Sequence, residues 1–280
     1  MIAETRGILY PARLPSLRRI PAPPALAGLV RWFWIPEWDI AAGRSSRQHL
    51  VAYPACNLVV EPAQVIFSGP TTRVSHRDLT GRGWAVGALL RPAAVPAFTQ
   101  APGDLRDAEL VLDAPDLHRA VFAAMATADP DTRHRTAVEF LGGWLGQRAL
   151  PVTEQDTQAN ALADLLDGDP AIRTLDDAAA CLHSSPRTLQ RLATRYIGLA
   201  PAEMIRRRRL QEAAERVRSE PDAGLADIAA ELGYADHAHL TRDFRLQLGF
   251  TPSAYRQEVS TTRLRASVSR LGGSRVSGWR

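Results

Sequence analysis

The sequence predicts an α+β protein in two parts: a small N-terminal β-barrel or sheet domain with helices, then an all-α domain of two helix-turn-helix units joined by a linker helix. Three observations predict it. One sequence pattern occurs twice near the C-terminus, short apolar runs separated by Gly, Pro and Ser turns precede it, and between them the hydrophobic period lengthens from two residues toward 3.6. With 280 residues, 45% of them hydrophobic and 23% charged, the chain has the composition of an ordinary globular protein and room for about two domains.

Residues 1–27 are rich in Pro and Arg and read as an extended lead-in. A sensor or dimerisation domain is expected over 28–150. Its strands are placed at Arg31–Ile35, His49–Tyr53, Asn57–Glu61, Val65–Phe67 and Trp84–Leu90, and its helical segments at Leu117–Met125 and Thr136–Leu145, the second weakened by Gly142 and Gly143. A linker region follows over 151–169, with one more helical segment at Ala159–Leu166, and the turn residues Asp167-Gly-Asp-Pro170 mark a boundary. The repeat occupies 170–258. Residues 259–280, with five Arg and no acid, read as a disordered basic tail.

No apolar run approaches the roughly 20 residues needed to span a bilayer, and the N-terminus lacks the apolar core of a secretory signal, so a cytoplasmic protein without membrane contact is expected. Cys56 and Cys181 are expected as free thiols. The formal charge is +4, and Arg exceeds acids equally before and after residue 154, so the placement of charge matters more than its total. All 34 basic residues are Arg, which reads as a compositional habit of the genome.

The repeat aligns Leu175, Asp177 and Ala179 with Leu225, Asp227 and Ala229, and Leu189, Arg191, Gly198 and Pro201 with Leu240, Arg242, Gly249 and Pro252. Thr174 is placed to cap a supporting helix with Asp177 three residues on. Ser185 caps the next helix, Pro186 takes its first position, and Gly198 ends it. On a helical wheel Leu189, Leu192, Ala193 and Tyr196 share one face, with Arg187, Arg191 and Thr194 opposite. In the second copy Asp236 caps, Leu240, Phe244 and Leu248 pack, and Ala238, Arg242 and Arg245 face outward; Thr251-Pro252 opens a closing helix. Between the copies, Pro201–Ser219 reads as one helix about 27–30 Å long, close to the roughly 34 Å between successive major-groove faces.

The segments S-P-R-T-L-Q-R-L, R-Y-I-G-L-A-P, R-R-L-Q-E-A, L-A-D-I-A-A-E-L-G-Y-A-D-H-A-H-L-T-R-D-F and G-F-T-P-S-A-Y-R closely resemble the AraC/XylS family of transcription regulators over residues 172–258. The resemblance implies a bipartite DNA-binding domain behind a sensing or dimerising one. Two positions depart from the pattern: His183 stands where a turn Gly is frequent, and Ala193 where a core Phe is usual.

Side-chain chemistry then assigns expected roles. Arg191 and Arg242 suit bidentate contact with guanine, and Gln190 suits adenine. Thr188, Thr241, His239 and Ala238 lie on or beside the same faces, while Arg187, Arg195 and Arg245 are expected on phosphates. Of the run Arg206–Arg209, at most two can face phosphate together, the others pairing with acids such as Glu203 or Glu212.

In the N-terminal part, Trp32, Trp34, Tyr53 and Trp84 are candidate lining for an effector pocket, with barrel core as the competing reading. V-G-A-L-L-R-P is similar to a segment of sensor domains that often precede this kind of DNA-binding domain. His49 and His76 lack metal-site spacing, His237 and His239 diverge on their helix, and no nucleophile motif or phosphate loop is present; no cofactor, metal or catalytic residue is expected. The expected protein is a sequence-specific regulator, an activator, that binds double-stranded DNA and RNA polymerase and responds to a small-molecule effector, as a homodimer or monomer. The alternatives are a DNA-tethered enzyme of the alkyl-transfer repair type acting through Cys56, and an architectural DNA binder.

Overall fold

The computed structural model describes residues 16–50, 53–71 and 75–261. Its strands are β1 (Ser16–Pro21), β2 (Val30–Asp39), β3 (Ser45–Leu50), β4 (Asn57–Val60), β5 (Val65–Ser68), β6 (Ser75–Thr80), β7 (Arg82–Trp84), β8 (Val86–Leu90) and β9 (Glu109–Leu112). The main sheet runs β1-β2-β8-β4-β5-β9, with β7 also on β2, and β3 pairs with β6 as a separate ribbon. Every pairing is antiparallel.

The expected barrel does not close: β1 and β9 end the sheet without pairing to each other. The reason lies in how the apolar face is covered. Phe33, Ile35, Leu58, Val60, Val65, Phe67, Val86 and Ala88 point to one side, and two helices, α1 (Pro115–Met125) and α2 (Pro130–Arg148), bury that side with Leu117, Val121, Leu141 and Leu145. A sheet sealed by helices has no need to curl on itself.

The extended lead-in is corrected in part. Residues 16–21 form β1, in register from Ser16 opposite Glu37 to Pro21 opposite Trp32, and Pro sits only at the end of this edge strand, where a missing N–H is harmless. Residues 1–15 lie outside the described residues. The Gly142-Gly143 pair does not interrupt α2, and at Gly142 it serves the packing: a Cβ there would stand 2.7 Å from Leu26 Cδ1.

The region expected as a linker is instead a structural element. Residues Glu154–Gly168 form α3, opened by a capping box between Thr153 and Asp156. Ala159, Leu162 and Leu166 are fully buried in one cluster with Leu192, Ala193, Tyr196 and Met204 of the repeat. These apolar positions needed a partner surface, and the first helix-turn-helix unit supplies it.

The repeat comprises α4 (Leu175–Cys181), α5 (Pro186–Leu192), α6 (Pro201–Ser219), α7 (Leu225–Glu231) and α8 (His237–Leu248), followed by a closing helix α9 over 252–261. Between α5 and α6 the chain continues as a single π-helical turn, Ala193–Ile197, closed by the Gly198 N–H on the Ala193 carbonyl. Because Tyr255 and Val259 are buried in the core of the second unit, α9 carries the folded chain to residue 261, past the expected start of the tail. Residues 262–280 lie outside the described residues. No helix among those described is long and apolar enough to cross a membrane.

The two halves are docked through polar contacts. Asn160 on α3 donates to the Gly28 carbonyl (2.8 Å) and accepts from the Ala93 N–H (3.0 Å). Arg31 meets Asp167 at 2.7 Å, Arg91 meets Asp164 at 2.6 Å, and Arg106 donates to the Gly198 carbonyl (3.1 Å) while pairing with Glu203 (3.2 Å).

Candidate nucleic-acid interface

Each helix-turn-helix unit is set by local chemistry at its turns. Thr174 accepts from the Asp177 N–H at 3.1 Å while Asp177 accepts from the Thr174 N–H at 2.8 Å, so two orphan donors at the start of α4 are satisfied reciprocally. The N–H groups of Arg173 and Thr174 and the Thr174 side chain hold the Asp177 carboxyl below its ordinary range. Ser185 accepts from the Thr188 N–H (3.1 Å) and Asp236 from the His239 N–H (2.6 Å). In the first turn His183 adopts φ +47°, as a residue replacing Gly must there, and its counterpart Gly233 has φ +72°. Both recognition segments end in the left-handed region, at Gly198 (φ +79°) and Gly249 (φ +81°).

These turns aim the helices as the wheel predicts. Leu189, Leu192, Ala193 and Tyr196 are buried on one side of the first recognition segment, while Arg187, Gln190, Arg191 and Arg195 are exposed and Thr188 half-buried. In α8, Leu240, Phe244 and Leu248 are buried, Ala238, Arg242 and Arg245 exposed, and His239 and Thr241 half-buried. Ala193 is wholly enclosed in the cluster to which α3 contributes, so the small side chain leaves no open face.

The electrostatics divide the arginines into two groups. Among the described residues, no carboxylate lies within 4 Å of the guanidinium groups of Arg187, Arg191, Arg195, Arg242 or Arg245. Arg195 rests over the ring of Tyr196. The run on α6 differs, because each of its guanidinium groups is engaged by another part of the protein, and Glu212 stands beside Arg208 as the expected pairing with acids implies. Arg206 is engaged by Asp243, donating from Nε at 3.1 Å. Arg207 is buried, and that burial pulls it down to about 10 against the opposing effect of Asp107 and Glu203. Arg208 is buried, donating to the carbonyls of Leu166 (3.1 Å), Asp169 and Ile172 (2.6 Å), with Glu212 at 3.5 Å. The Arg209 guanidinium lies 4.2 Å from the ring centre of Tyr234. Arg207 and Arg208 are buried between the two units and act as internal fasteners, whereas Arg206 and Arg209 are half-buried at the edge of the helix.

The aromatic residues proposed as one pocket separate onto two faces. Phe33 and Ile35 point into the core, so Trp32 and Trp34 point to the other side of β2. There Trp32 meets Tyr53 edge-on at 4.9 Å between Arg19 and Arg31, and Trp34 Nε1 donates to Asn57 Oδ1 at 3.2 Å. Trp84, opposite Glu37 in the ladder, falls on the core side and packs toward Phe122. The cavity beside Tyr53, lined also by Arg31, Cys56, Asp167 and Tyr196, measures about 30 Å³. That is space for a water, far below a small-molecule site.

Cys56 is buried, and burial pushes its thiol up to about 12, the reverse of what a nucleophile needs. Cys56→Ala is therefore expected to leave DNA affinity unchanged, checked by titration of labelled duplex. Sequence reasoning missed Asn160, Arg106 and Arg208 because their partners are backbone carbonyls or distant side chains that no local pattern announces.

Comparison with known families decides the C-terminal half. A helix-turn-helix domain model matches residues 178–258. The chain is 36% identical over 128 residues to an AraC-like transcription regulator of Streptomyces lividans, covering 43% of this chain and 38% of that protein. The C-terminal segment is therefore similar to AraC-like transcription regulators. The regulatory protein PocR of Salmonella typhimurium is 30% identical over 86 residues, 31% of this chain and 28% of its own length. The chain thus spans well under half the length of these curated relatives. Ahead of that segment, residues 18–110 match a domain of unknown function, DUF6597. The crystal structure of an apo ToxT variant from Vibrio cholerae aligns over 80% of this chain and 96% of that one, at 10% identity and a TM-score of 0.43.

Proposed function

We propose that the protein is a sequence-specific transcription regulator that reads two successive major-groove segments of double-stranded DNA with α5 and α8. The observation that carries this is the partition of arginines: those at equivalent outward positions in the two units, Arg191 and Arg242, are exposed without a carboxylate partner, whereas those on α6 are held by partners within the protein. Exposed guanidinium forks on helices of this kind recognise guanine edges and phosphates. Arg191, Arg242 and Gln190 are the base-reading residues, Ala238, Thr188, Thr241 and His239 border them, and Arg187, Arg195 and Arg245 hold phosphates. In this reading residues 154–261 form the DNA-binding unit, α3 included, and the sheet with α1 and α2 forms the sensing or dimerising one.

Two substitutions test the division of labour. Arg242→Ala is expected to relax base preference at one position of the selected site, at about 1–3 kcal/mol. Arg187→Ala is expected to weaken all duplexes alike and lower the slope of log K against log salt by about one unit. Binding-site selection followed by fluorescence anisotropy at several salt concentrations separates the two. Equal loss on matched and scrambled duplexes from Arg242→Ala would remove that residue from the readout. The reading extends to a homodimer through the open β9 edge, where Leu110 and Val111 are exposed and an antiparallel copy of the same strand would pair across a two-fold axis. It extends also to a response to a small-molecule effector and to contact with RNA polymerase by the bound protein.

A further inference from the structure

A groove of about 440 Å³ opens between the two helix-turn-helix units. Its walls come from three places: Arg173 at the start of α4, Arg206 and Arg209 on α6, and His239, Arg242 and Asp243 on α8. Four guanidinium groups face one carboxylate, and that carboxylate, Asp243, is already engaged by Arg206. Among the described residues, no carboxylate lies within 4 Å of the guanidinium groups of Arg173 or Arg209. Arg209 is stacked on Tyr234, and the exposed Arg173, whose backbone N–H donates to Asp177 (2.9 Å), reaches with its guanidinium the Glu231 carbonyl at a long 3.5 Å. A concave surface with this surplus of cations is built for an anion, and planar arginine forks suit the oxygens of a phosphate.

We infer that this groove is a phosphate seat for the DNA backbone, with Arg173 as its principal contact and Arg209 as its fixed floor. The inference rests on the DNA-reading proposal above. Two features select the backbone of a bound duplex over a free anion. The wall formed by His239 and Arg242 belongs to the second recognition helix, so the groove opens toward the duplex that this helix reads. A duplex entered in two successive major-groove segments also presents a stretch of backbone between them, and the junction of the two units is what that stretch passes. Arg173 thereby senses whether both units are engaged at once, a role for a residue outside both recognition helices.

The test uses the full chain and the variants Arg173→Gln and Arg173→Lys, with matched and scrambled duplexes from 50 to 200 mM salt. Arg173→Gln is expected to flatten the salt slope by about 0.9 and to leave the matched-to-scrambled ratio and the melting midpoint unchanged. Arg173→Lys, which keeps the charge, is expected to restore the slope. An unchanged slope in Arg173→Gln, or a slope that Lys does not restore, overturns the seat while a persistent sequence preference leaves DNA reading standing. Inorganic phosphate alone supplies the other arm. A melting midpoint raised by millimolar phosphate in the wild type but not in Arg173→Gln, with no slope change on DNA, would make the groove a free-anion site and overturn the backbone assignment. Loss of all duplex preference in the wild-type protein would remove the seat together with the reading it rests on.

Discussion

Replacing Arg208 with Ala is expected to destabilise the unit formed by residues 154–261 by about 3–5 kcal/mol, a larger loss than any substitution on the exposed faces of α5 or α8. The arithmetic follows from what the guanidinium touches. It lies buried at the C-terminal end of α3, donating to the carbonyls of Leu166, Asp169 and Ile172 with Glu212 beside it. The last carbonyls of a helix have no partner within it, and the negative end of its dipole favours a cation. Truncation therefore takes the guanidinium donor from the buried Leu166 and Ile172 carbonyls, leaves the Asp169 carbonyl with only the Ile172 N–H, removes the cation beside the half-buried Glu212, and opens a void as well. For a unit of about 110 residues this corresponds to a fall in melting temperature of about 15 °C or more, read by circular dichroism or calorimetry. Arg208→Lys is expected to recover only part of the loss, because one ammonium cannot match a planar fork that spans carbonyls on both sides of the α3–α4 turn. Arg187→Ala, on an exposed face, is expected to stay within about 0.5 kcal/mol of the wild type. If the two alanine variants melted alike, the internal role of Arg208 would be refuted.

That prediction also marks the limit of what the sequence made legible. The helical repeat could be read residue by residue because its determinants are local: Thr174, Ser185 and Asp236 bond to N–H groups three residues on, Gly198 and Gly249 stop their helices in the left-handed region, and the apolar stripes follow the helical period. The same local logic found β2, β4, β5 and β8, but at His49–Tyr53 it met only the end of β3, which lies at Ser45–Leu50. It failed where the cause is tertiary. β1 exists because β2 offers it an edge, β6 because β3 does, and neither carries a strong alternation of its own. α3 is visible as a periodic segment, but nothing nearby in sequence shows that its partner is the first helix-turn-helix unit, so its stretch reads as a linker. The basic run on α6 is legible only in part: pairing with Glu212 follows from helical spacing, but the other partners do not. Four adjacent arginines suggest a solvated or DNA-facing surface, yet their fate depends on what packs around the helix, and here α3, Asp243 and Tyr234 take up three of them. The aromatic pocket dissolved once strand parity was known, since Trp84 lies on the opposite face of the sheet from Trp32.

The second large effect is expected from the Gly198→Ala change, and Gly249→Ala is its internal control. Both glycines end their recognition segments at nearly the same backbone angle, φ +79° and +81°, so a methyl group costs about 1–2 kcal/mol of left-handed strain at either position. Their surroundings differ. A Cβ on Gly249 would meet nothing within 4 Å, whereas one on Gly198 would stand 2.5 Å from the Gly103 N and 2.6 Å from the Pro102 carbonyl carbon. Those atoms are backbone of the N-terminal half, in the short 3-10 turn Pro102–Leu105, and cannot swing aside as a side chain would. The halves must separate there, and the Arg106 contacts to the Gly198 carbonyl and Glu203 go with the separation. Gly249→Ala is therefore expected to lower the melting midpoint by several degrees as one transition. Gly198→Ala is expected to lower it further, to resolve the melt into two transitions, and to expose the 92–106 segment to limited proteolysis. Identical melting curves for the two variants would mean that the Gly198–Gly103 contact does not hold the halves together, and that the α3 contacts through Asn160, Asp164 and Asp167 carry the docking alone.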